Sequence, residues 1–291
     1  ACVLFANRDL RYTDWKDPVC GPDQVKIRVR AAGICGSDVP RVLHKGAHFY
    51  PIVLGHEFSG DIVEIGADVE GLKVGLTVTV APLIPCGHCE DCQKGNYSLC
   101  KHYSFIGSRE QGSFADYVVV PAQNVVKYDP SIPYTQAAMF EPSTVALHGL
   151  LQGQYTSGGA VAVVGCGTIG IFTAQWAKIF GAKKLVVYDI DDGRLALAKR
   201  LGADEVVNTS AQDWRIKTKE LTDGRGFDHV FETAGNPITS LTCFEVAGNK
   251  SHVTFIGTPH GETIFTPAQW ELMNRKEFYL TGSWMSYSAP F

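Results

Sequence analysis

The sequence predicts an α/β plus β protein of two domains, in which an all-β, barrel-like domain is followed by a doubly wound parallel sheet. The chain has 291 residues, enough for about two domains that each bury their own core. Short alternating or β-branched runs, separated by glycine and proline, fill residues 25–120. From Ala160 onward the pattern changes, and apolar strands alternate with segments of helical spacing.

The elements follow in chain order. The first domain has predicted strands that include 25–29, 60–65 and 76–80. The second has predicted strands at 160–164, 184–190, 205–207, 227–233, 252–256 and 278–283, and predicted helices at 168–180, 194–201, 214–221, 239–246 and 267–274. Six strands alternating with helices are typical of a doubly wound sheet. We place the boundary between Glu141 and Gln154, with domains at 1–147 and 148–285.

Charge and composition exclude several classes of protein. The chain carries 26 Lys+Arg against 30 Asp+Glu, a net charge of −4, and has no basic run. This argues against nucleic acid or an anionic membrane as the main partner, and favours small molecules. The N-terminus lacks the basic region of a signal peptide, so we expect a cytoplasmic protein. The longest uncharged stretch, 142–177, is broken by glycines and does not read as a membrane span.

A dinucleotide-binding motif opens the second domain. The run from Gly165 to Gly170 fits G-x-G-x-x-G, follows an apolar strand and begins a helix. In this motif the glycines permit a tight turn, close approach of the pyrophosphate and close helix packing. The acidic residue expected about 20 positions later is Asp189, which favours NAD over NADP. The candidate cofactor-binding residues are Gly165, Gly167, Thr168, Ile169, Gly170, Asp189 and Arg194, the last either stacking on adenine or balancing helix charge.

A four-cysteine loop is the most specific local signal. Cysteines occur with spacings of two, two and seven intervening residues, at Cys86, Cys89, Cys92 and Cys100. Four thiolates suit tetrahedral zinc and leave no open position, so the predicted site is structural. Because the predicted lobe, 85–101, has few core-forming residues, metal rather than packing must fix its shape.

A second metal site is predicted from ligands that are distant in sequence. Glycine-rich turns place Cys35 in one loop and His56 with Glu57 in another, and Glu141 lies near the domain junction. Each alone has an ordinary interpretation, as a buried thiol, a turn histidine or a charge at a helix N-terminus. Together they match a catalytic zinc, which takes three protein ligands and leaves the fourth position open.

These motifs carry a family resemblance. The Gly-Ile-Cys-Gly-Ser-Asp turn at 33–38, the Gly-His-Glu turn at 55–57, the four-cysteine lobe, the Glu-Pro junction and the glycine motif resemble the zinc-containing medium-chain alcohol and polyol dehydrogenases, in that family's order. The resemblance implies a GroES-like catalytic domain followed by a Rossmann domain. It also implies two zinc ions per chain and NAD, with Cys35, His56 and Glu141 as ligands of the catalytic zinc and Glu57 beside it or exchanging with a ligand.

The implied activity is oxidation of a secondary alcohol. The alcohol is expected to lose its proton through Ser37 or through water at the metal, and hydride passes to NAD. Plain polyol dehydrogenases of the family carry an aromatic residue where Arg41 stands. Since a guanidinium matches phosphate, Arg41 indicates a polyol phosphate as substrate, with Lys45, His48, Tyr50 and Arg109 as further candidates, unless Arg41 is an ordinary surface arginine.

Two alternatives and two further expectations complete the hypothesis. The alternatives are a non-phosphorylated polyol such as sorbitol as the substrate, and a non-enzymatic dinucleotide-binding module of the same fold. The resemblance implies a homodimer or homotetramer joined through the last strand, 278–283. It also implies that residues 286–291 begin a return to the catalytic domain whose remainder is missing.

Overall fold

A computed structural model describes residues 1–286, and the predicted return segment therefore lies almost wholly outside the described residues. The chain divides into two compact units, with the division between Glu141 and Pro142. No helix of the described part is long and apolar enough to cross a membrane.

The first unit consists of small sheets joined by loops and short helices. Its largest sheet has the order β10-β6-β5-β3-β9, and two smaller sheets have the orders β2-β1-β4 and β7-β8. The strands are β1 (Cys2–Ala6), β2 (Asp9–Tyr12), β3 (Gln24–Gly33), β4 (Ile52–Val53), β5 (Glu57–Ile65), β6 (Thr77–Val80), β7 (Leu83–Ile84), β8 (Ser104–Phe105), β9 (Tyr117–Pro121) and β10 (Val125–Lys127). The short helices are α1 (Asp38–Pro40), a π-helical turn (Arg41–Lys45), α2 (Glu90–Gln93), 3-10 turns (Tyr97–Leu99 and Ala122–Asn124) and α3 (Tyr134–Ala137).

The core of the first unit lies inside its largest sheet. Alternate residues of the strands point inward, as a period of two requires. Val25 and Ile27 of β3, Phe58 and Ile62 of β5 and Val78 of β6 are fully buried and pack together. This packing fixes β3 against β5, which are the strands that deliver the candidate metal ligands.

The second unit is a six-stranded parallel sheet of order β13-β12-β11-β14-β15-β16, as the sequence predicts. Its strands are β11 (Ala160–Val164), β12 (Lys184–Asp189), β13 (Glu205–Asn208), β14 (Phe227–Glu232), β15 (Ala247–Phe255) and β16 (Tyr279–Gly282). Its helices are α5 (Thr168–Ile179), α6 (Asp192–Arg200), α7 (Trp214–Thr222), α8 (Pro237–Val246) and α9 (Pro267–Lys276), and α4 (Phe140–Gln152) contains the division between the units.

Each face of the parallel sheet has its own apolar core. Val161 and Val163 of β11 pack in one cluster with residues of α5 and α6, whereas Ala162 and Val164 pack in the other with residues of α8. A strand buried on both sides must be apolar at every position, and this explains the uninterrupted apolar run of β11. The helices cover both faces, and the loops at the carboxyl ends of the strands remain for binding.

Candidate metal and dinucleotide sites

The candidate catalytic metal ligands converge because β3 and β5 are antiparallel neighbours. Gly33, the last residue of β3, pairs with Glu57, the first residue of β5. The turn after Gly33 carries Cys35, and the turn before Glu57 carries His56. One ligand atom from each of Cys35, His56 and Glu57 lies within 4.8 Å of the others, a spacing that a single metal ion can bridge.

The chemistry of this cluster fits a divalent cation. Burial lowers the pKa of His56 to about 4, so its imidazole is neutral, the form that binds metal. Burial raises the pKa of the Cys35 thiol to about 12, and a positive charge is needed to hold it as thiolate. Burial, together with the charges of Glu57 and Asp38, raises the pKa of Glu141 to about 8. Several acids buried together are stable as anions only with a compensating cation.

Glu141 and Glu57 have different positions in the cluster. Within the described residues, the set that satisfies the 4.8 Å spacing comprises Cys35, His56 and Glu57. Glu141 interacts electrostatically with the cluster, because the charge of Glu57 contributes to the raised pKa of Glu141 and the charge of Glu141 contributes to the raised pKa of Cys35. The assignment of Glu141 as the third ligand, with Glu57 beside the metal, stays a prediction, and the observed spacing places Glu57 rather than Glu141 with Cys35 and His56.

Asp38 is a site residue that the sequence reasoning missed. It is 2% exposed, accepts a hydrogen bond from the Cys35 backbone N–H at 3.1 Å, and places Oδ1 3.9 Å from Nδ1 of His56. In the described part of the chain, neither of these last two atoms has a hydrogen-bond partner. A carboxylate on one ring nitrogen orients the other toward a metal. The sequence signal that could have identified Asp38 is its position three residues after the candidate ligand Cys35, in the same turn.

Ser37 and Arg41 extend the cluster. The Ser37 hydroxyl donates to Sγ of Cys35 at 3.3 Å and accepts from Nη1 of Arg41 at 2.7 Å. Nη1 of Arg41 also lies 3.5 Å from the Asp38 carboxylate. Arg41 is therefore not an isolated surface arginine but part of a polar chain that ends at Cys35, a candidate metal ligand.

Of the other substrate candidates, His48 and Arg109 lie near charged or aromatic groups of the first unit, whereas Tyr50 and Lys45 belong to the loop before β4 and the turn that precedes it. Burial and the charges of Arg109 and Arg41 lower the pKa of His48, which places His48 within electrostatic reach of both guanidinium groups. The guanidinium of Arg109 lies over the Tyr103 ring, 4.6 Å from its centroid. Tyr50, by contrast, uses its hydroxyl within the protein.

The Tyr50 hydroxyl accepts from the Ala47 backbone N–H at 3.0 Å and donates to Oδ1 of Asn7 at 2.9 Å. These contacts brace the loop between the π-helical turn and β4. Lys45 lies in the last position of that turn. Both residues stay substrate candidates by prediction only.

Three glycines hold the His56 turn against the loop that carries Arg109. A Cβ on Gly107 or Gly112 would overlap the carbonyl oxygen of Gly55, and the left-handed φ of +77° at Gly107 further favours glycine. Ser113 N donates to Gly55 O at 2.9 Å. The backbone of the metal-ligand turn and that of the 107–112 loop are therefore in direct contact.

The four-cysteine lobe has the spacing of a tetrahedral thiolate site. Sγ of Cys86 lies 3.9 Å from Sγ of Cys92, and Sγ of Cys89 lies 3.8 Å from Sγ of Cys100. Four thiolates around one zinc at about 2.3 Å are about 3.8 Å from each other. Hydrogen bonds from backbone N–H groups lower the pKa of Cys86 and Cys89, which favours their thiolate forms. All four thiols are free, and their sulfur atoms lie within 4.8 Å of one another, so the structure brings the four predicted ligands together.

The dinucleotide turn in the second unit is open where a ligand would approach. Gly165 has a φ of +101°, a conformation that only glycine adopts readily, and a Cβ on Gly167 would meet no atom within 4 Å. α5 begins at Thr168 without a side-chain cap, and Ile169 and Gly170 are in its first turn. The unpaired N–H groups of a helix N-terminus bind a phosphate well, so this turn fits a pyrophosphate.

Asp189 lies at the end of β12, beside the turn. Its Oδ2 accepts from the Cys166 backbone N–H at 2.6 Å and its Oδ1 from the Ile190 N–H at 2.8 Å. The carboxylate is thus held at the position where the motif places the ribose acceptor. Arg194 is exposed in the first turn of α6, and its backbone N–H is capped by Asp191 at 2.8 Å.

Comparison with known proteins adds independent information. Residues 21–131 match the family model described as alcohol dehydrogenase GroES-like domain, and residues 168–291 match the model described as zinc-binding dehydrogenase. Galactitol 1-phosphate 5-dehydrogenase of Escherichia coli K12 is 41% identical over 269 residues, covering 92% of this chain and 78% of that protein.

Two further matches agree with this one. Sorbitol dehydrogenase of Bacillus subtilis is 33% identical over 269 residues, with coverage of 91% of this chain and 76% of that protein. The crystal structure of galactitol-1-phosphate dehydrogenase from Escherichia coli superposes with a TM-score of 0.94 at 39% identity, covering 99% of this chain and 84% of that one.

Proposed function

The chain belongs to the zinc-dependent medium-chain alcohol and polyol dehydrogenases, and from that premise we propose that it oxidises a secondary alcohol of a polyol phosphate with NAD as hydride acceptor. The preferred substrate is galactitol 1-phosphate, whose oxidation gives tagatose 6-phosphate, NADH and a proton. The observation that carries this proposal is the polar chain that joins Arg41 through Ser37 to Cys35, because it places a phosphate-binding type of side chain beside the metal cluster.

The residues that would hold the catalytic zinc are Cys35, His56 and one of the two carboxylates Glu57 and Glu141. When bound, the ion acts as a Lewis acid that makes the substrate hydroxyl more acidic. One thiolate, one neutral imidazole and one carboxylate balance its two positive charges. Cys86, Cys89, Cys92 and Cys100 would hold the second, structural zinc.

The chain's own groups handle the proton. Ser37 Oγ donates to the Cys35 sulfur at 3.3 Å, and the Arg41 guanidinium at 2.7 Å favours partial negative charge on that oxygen. We assign Ser37 the role of receiving the proton of the substrate hydroxyl and passing it toward solvent. Asp38, whose Oδ1 lies 3.9 Å from Nδ1 of His56, is the carboxylate positioned to orient that ring.

The second unit supplies the cofactor site. NAD, when bound, accepts the hydride at its nicotinamide ring. The turn from Gly165 to Gly170 receives the pyrophosphate, and Asp189 accepts hydrogen bonds from the adenosine ribose. Its negative charge disfavours the additional phosphate of NADP.

Phosphate recognition is assigned to Arg41, Arg109 and His48. The charges of Arg109 and Arg41 both act on His48, which supports a positive field from the two guanidinium groups near that neutral imidazole, on a protein whose net charge is −4. A hydrogen bond to a charged group contributes about 1.5–3 kcal/mol, so a phosphate held there changes specificity about tenfold to a hundredfold.

A non-phosphorylated polyol such as sorbitol is the second candidate substrate. Two observations favour it. Nη1 of Arg41 already donates to Ser37 and is therefore engaged within the protein. The chain is also similar to sorbitol dehydrogenase of Bacillus subtilis. In that case Arg41 only tunes the Ser37 hydroxyl.

Steady-state turnover distinguishes the two. The purified protein, with zinc content measured on the same sample, is assayed for NADH formation with galactitol 1-phosphate, galactitol and sorbitol, and for NADPH formation with NADP. The proposal expects about two zinc per chain, a kcat/KM for galactitol 1-phosphate at least about tenfold above galactitol, and preference for NAD. Equal or better turnover of the non-phosphorylated polyols would replace it by the second candidate.

A further inference from the structure

Glu232 is a fully buried carboxylate that the residues assigned above do not include. It is the last residue of β14 and has 0% exposure. Burial raises its pKa, and hydrogen bonds oppose that shift. Burying a carboxylate costs free energy unless donors surround it, so its partners indicate what it does.

All the donors to Glu232 come from the segment that follows it. Oε1 accepts from the backbone N–H groups of Ala234 and Gly235, at 3.0 and 2.9 Å, and from the Thr239 hydroxyl at 2.6 Å. Oε2 accepts from the Gly235 N–H at 3.1 Å. The carboxylate therefore fixes the loop between β14 and α8 from inside.

Thr233, at the start of this loop, holds the dinucleotide turn. Its hydroxyl lies 2.8 Å from the carbonyl oxygen of Gly165 and 3.2 Å from that of Val164, and its backbone N–H donates to Val164 O at 3.0 Å. The loop also packs closely on the turn, because a Cβ on Gly165 would lie 2.9 Å from Cβ of Ala234.

We infer that Glu232 and Thr233 are positioning residues for NAD: the buried carboxylate orders the 233–236 loop, and the Thr233 hydroxyl on that loop fixes the carbonyl of Gly165 and with it the turn that receives the pyrophosphate. The inference rests on the proposed NAD-dependent function. A turn with three glycines among its six residues, 165–170, is flexible by itself, and a site preorganised from outside loses less entropy when the ligand binds.

NADH binding, measured by fluorescence titration on the intact protein, tests this inference without requiring turnover. Thr233→Val keeps the shape of the side chain and removes the hydroxyl, and we expect an NADH dissociation constant about three- to tenfold higher, the effect of one lost hydrogen bond. Thr233→Ser retains the hydroxyl and is expected to bind close to wild type. In turnover, Thr233→Val should raise the KM for NAD while kcat at saturating NAD and the KM of the alcohol change little.

Thr242→Val is the matched control. The Thr242 hydroxyl is buried in the same unit and donates at 2.9 Å to Ile238 O within α8, with no contact to the dinucleotide turn. Glu232→Leu removes every acceptor and should weaken NADH binding in the same direction, whereas Glu232→Gln keeps Oε1 and should weaken it less. Thermal unfolding shows which variants are folded.

The outcomes distinguish a failure of the positioning role from a failure of the proposed function. If wild type, Thr242→Val and Thr233→Val all bind NADH with the same affinity, the positioning role is wrong and the proposed function stands. If folded wild type does not bind NADH, the proposed function is wrong and this inference falls with it. If Glu232→Leu does not fold, the comparison of Thr233→Val with Thr233→Ser still decides.

Discussion

Arg41 occupies the most informative single position of the candidate active site. It donates to Ser37 at 2.7 Å and lies 3.5 Å from Asp38, and its side chain keeps 24% of its surface exposed. Nη1 of the guanidinium thus contacts Ser37 and Asp38 within the protein, and its exposed part remains available to bind an anion. Arginine at this position can influence both substrate affinity and the acidity of the Ser37 hydroxyl.

Arg41→Ala should raise the KM for galactitol 1-phosphate about tenfold or more, because a charge-assisted hydrogen bond to phosphate is lost. Any effect through Ser37 should lower kcat for galactitol and galactitol 1-phosphate alike. The ratio of kcat/KM for the two substrates is therefore the measurement. Arg28→Ala, an exposed arginine on β3, is the control. A ratio that Arg41→Ala leaves unchanged would contradict phosphate recognition by Arg41.

At the residue scale, sequence reasoning was strongest where spacing carries chemistry. The four cysteines could be assigned to one site because zinc thiolate sites have characteristic spacings. Asp38 could not be assigned, since its role depends on where β5 places His56, which no local pattern encodes. The choice between Glu57 and Glu141 depends on distances of a few ångströms and was equally out of reach.

The four-cysteine lobe is the element whose stability depends most on metal. Its segment between Cys86 and Cys100 contains only the short helix α2 and one 3-10 turn, and Cys92 and Cys100 are its buried residues. Such a loop has little apolar surface to hold it. Metal binding then contributes directly to folding.

Cys86→Ser should reduce the zinc content from about two to about one per chain and lower the thermal midpoint, with roughly 2–4 °C lost for each kcal/mol. Mass spectrometric metal analysis and thermal unfolding check the two effects. Cys2→Ser, a cysteine of β1 outside both clusters, should change neither. Full zinc content in Cys86→Ser would show that the lobe does not bind the ion through this thiol.

A row of rings crosses the strands of the parallel sheet. His229 of β14 pairs in register with His252 of β15, which pairs with Tyr279 of β16, and the ring centroids lie 5.4 and 4.7 Å apart. His229 also contacts Tyr155 and accepts from Thr156. Burial first, and then the charge of His252, lower the pKa of His229 to about 4, with Asp228 opposing the shift.

This shift makes the second unit sensitive to acid. The folded-state pKa lies below the unfolded value of 6.5, so the unfolded chain binds the proton first and stability falls as the pH drops from about 6.5 toward 4. We expect His229 to account for about 1–2 kcal/mol between pH 7 and pH 5. Urea unfolding at both pH values checks this.

The comparison variants are His229→Gln and His260→Gln. His229→Gln removes the titration and should show a smaller loss of stability between the two pH values than wild type. His260 is exposed in a loop, so His260→Gln should behave as wild type does. An unaltered loss in His229→Gln would mean that other groups cause the acid sensitivity.

At the element scale, the parallel sheet was predictable and α4 was not. The apolar run of β11 and the regular alternation of short strands with helical segments identify the second unit, and the predicted order of strands and helices is confirmed. The sequence analysis predicts no helix over α4, because glycines such as Gly149 interrupt this uncharged stretch. Proline is tolerated in a first helical turn, and a Cβ on Gly149 would overlap the side chain of Ile256, so glycine serves packing here.

The whole molecule presents an exposed sheet edge. Within the described residues β16 pairs with β15 on one side, and its Tyr279 and Leu280 are 53% and 40% exposed. Unpaired edges with apolar side chains readily pair with another chain. This supports the prediction of a homodimer or homotetramer joined through the last strand.

Light scattering after size-exclusion chromatography checks assembly. Wild type should elute as a dimer or tetramer, and Leu280→Lys should shift the mass toward that of one chain because a charge is buried at the contact. Val74→Lys, at a comparably exposed valine of the first unit, should not. A monomeric wild type would contradict the prediction.

The contact among Gly55, Gly107 and Gly112 limits how this enzyme can be redesigned. Substrate range is usually altered by randomising loops, and the loop with Arg109 is the natural choice. Its backbone, however, rests directly on the turn that carries His56. Insertions or larger residues at 107–112 would therefore displace the candidate metal ligand His56 as well as the loop that carries Arg109. Libraries should hold these glycines constant and vary Arg109 and its exposed neighbours, so that new selectivity is not obtained at the expense of metal occupancy.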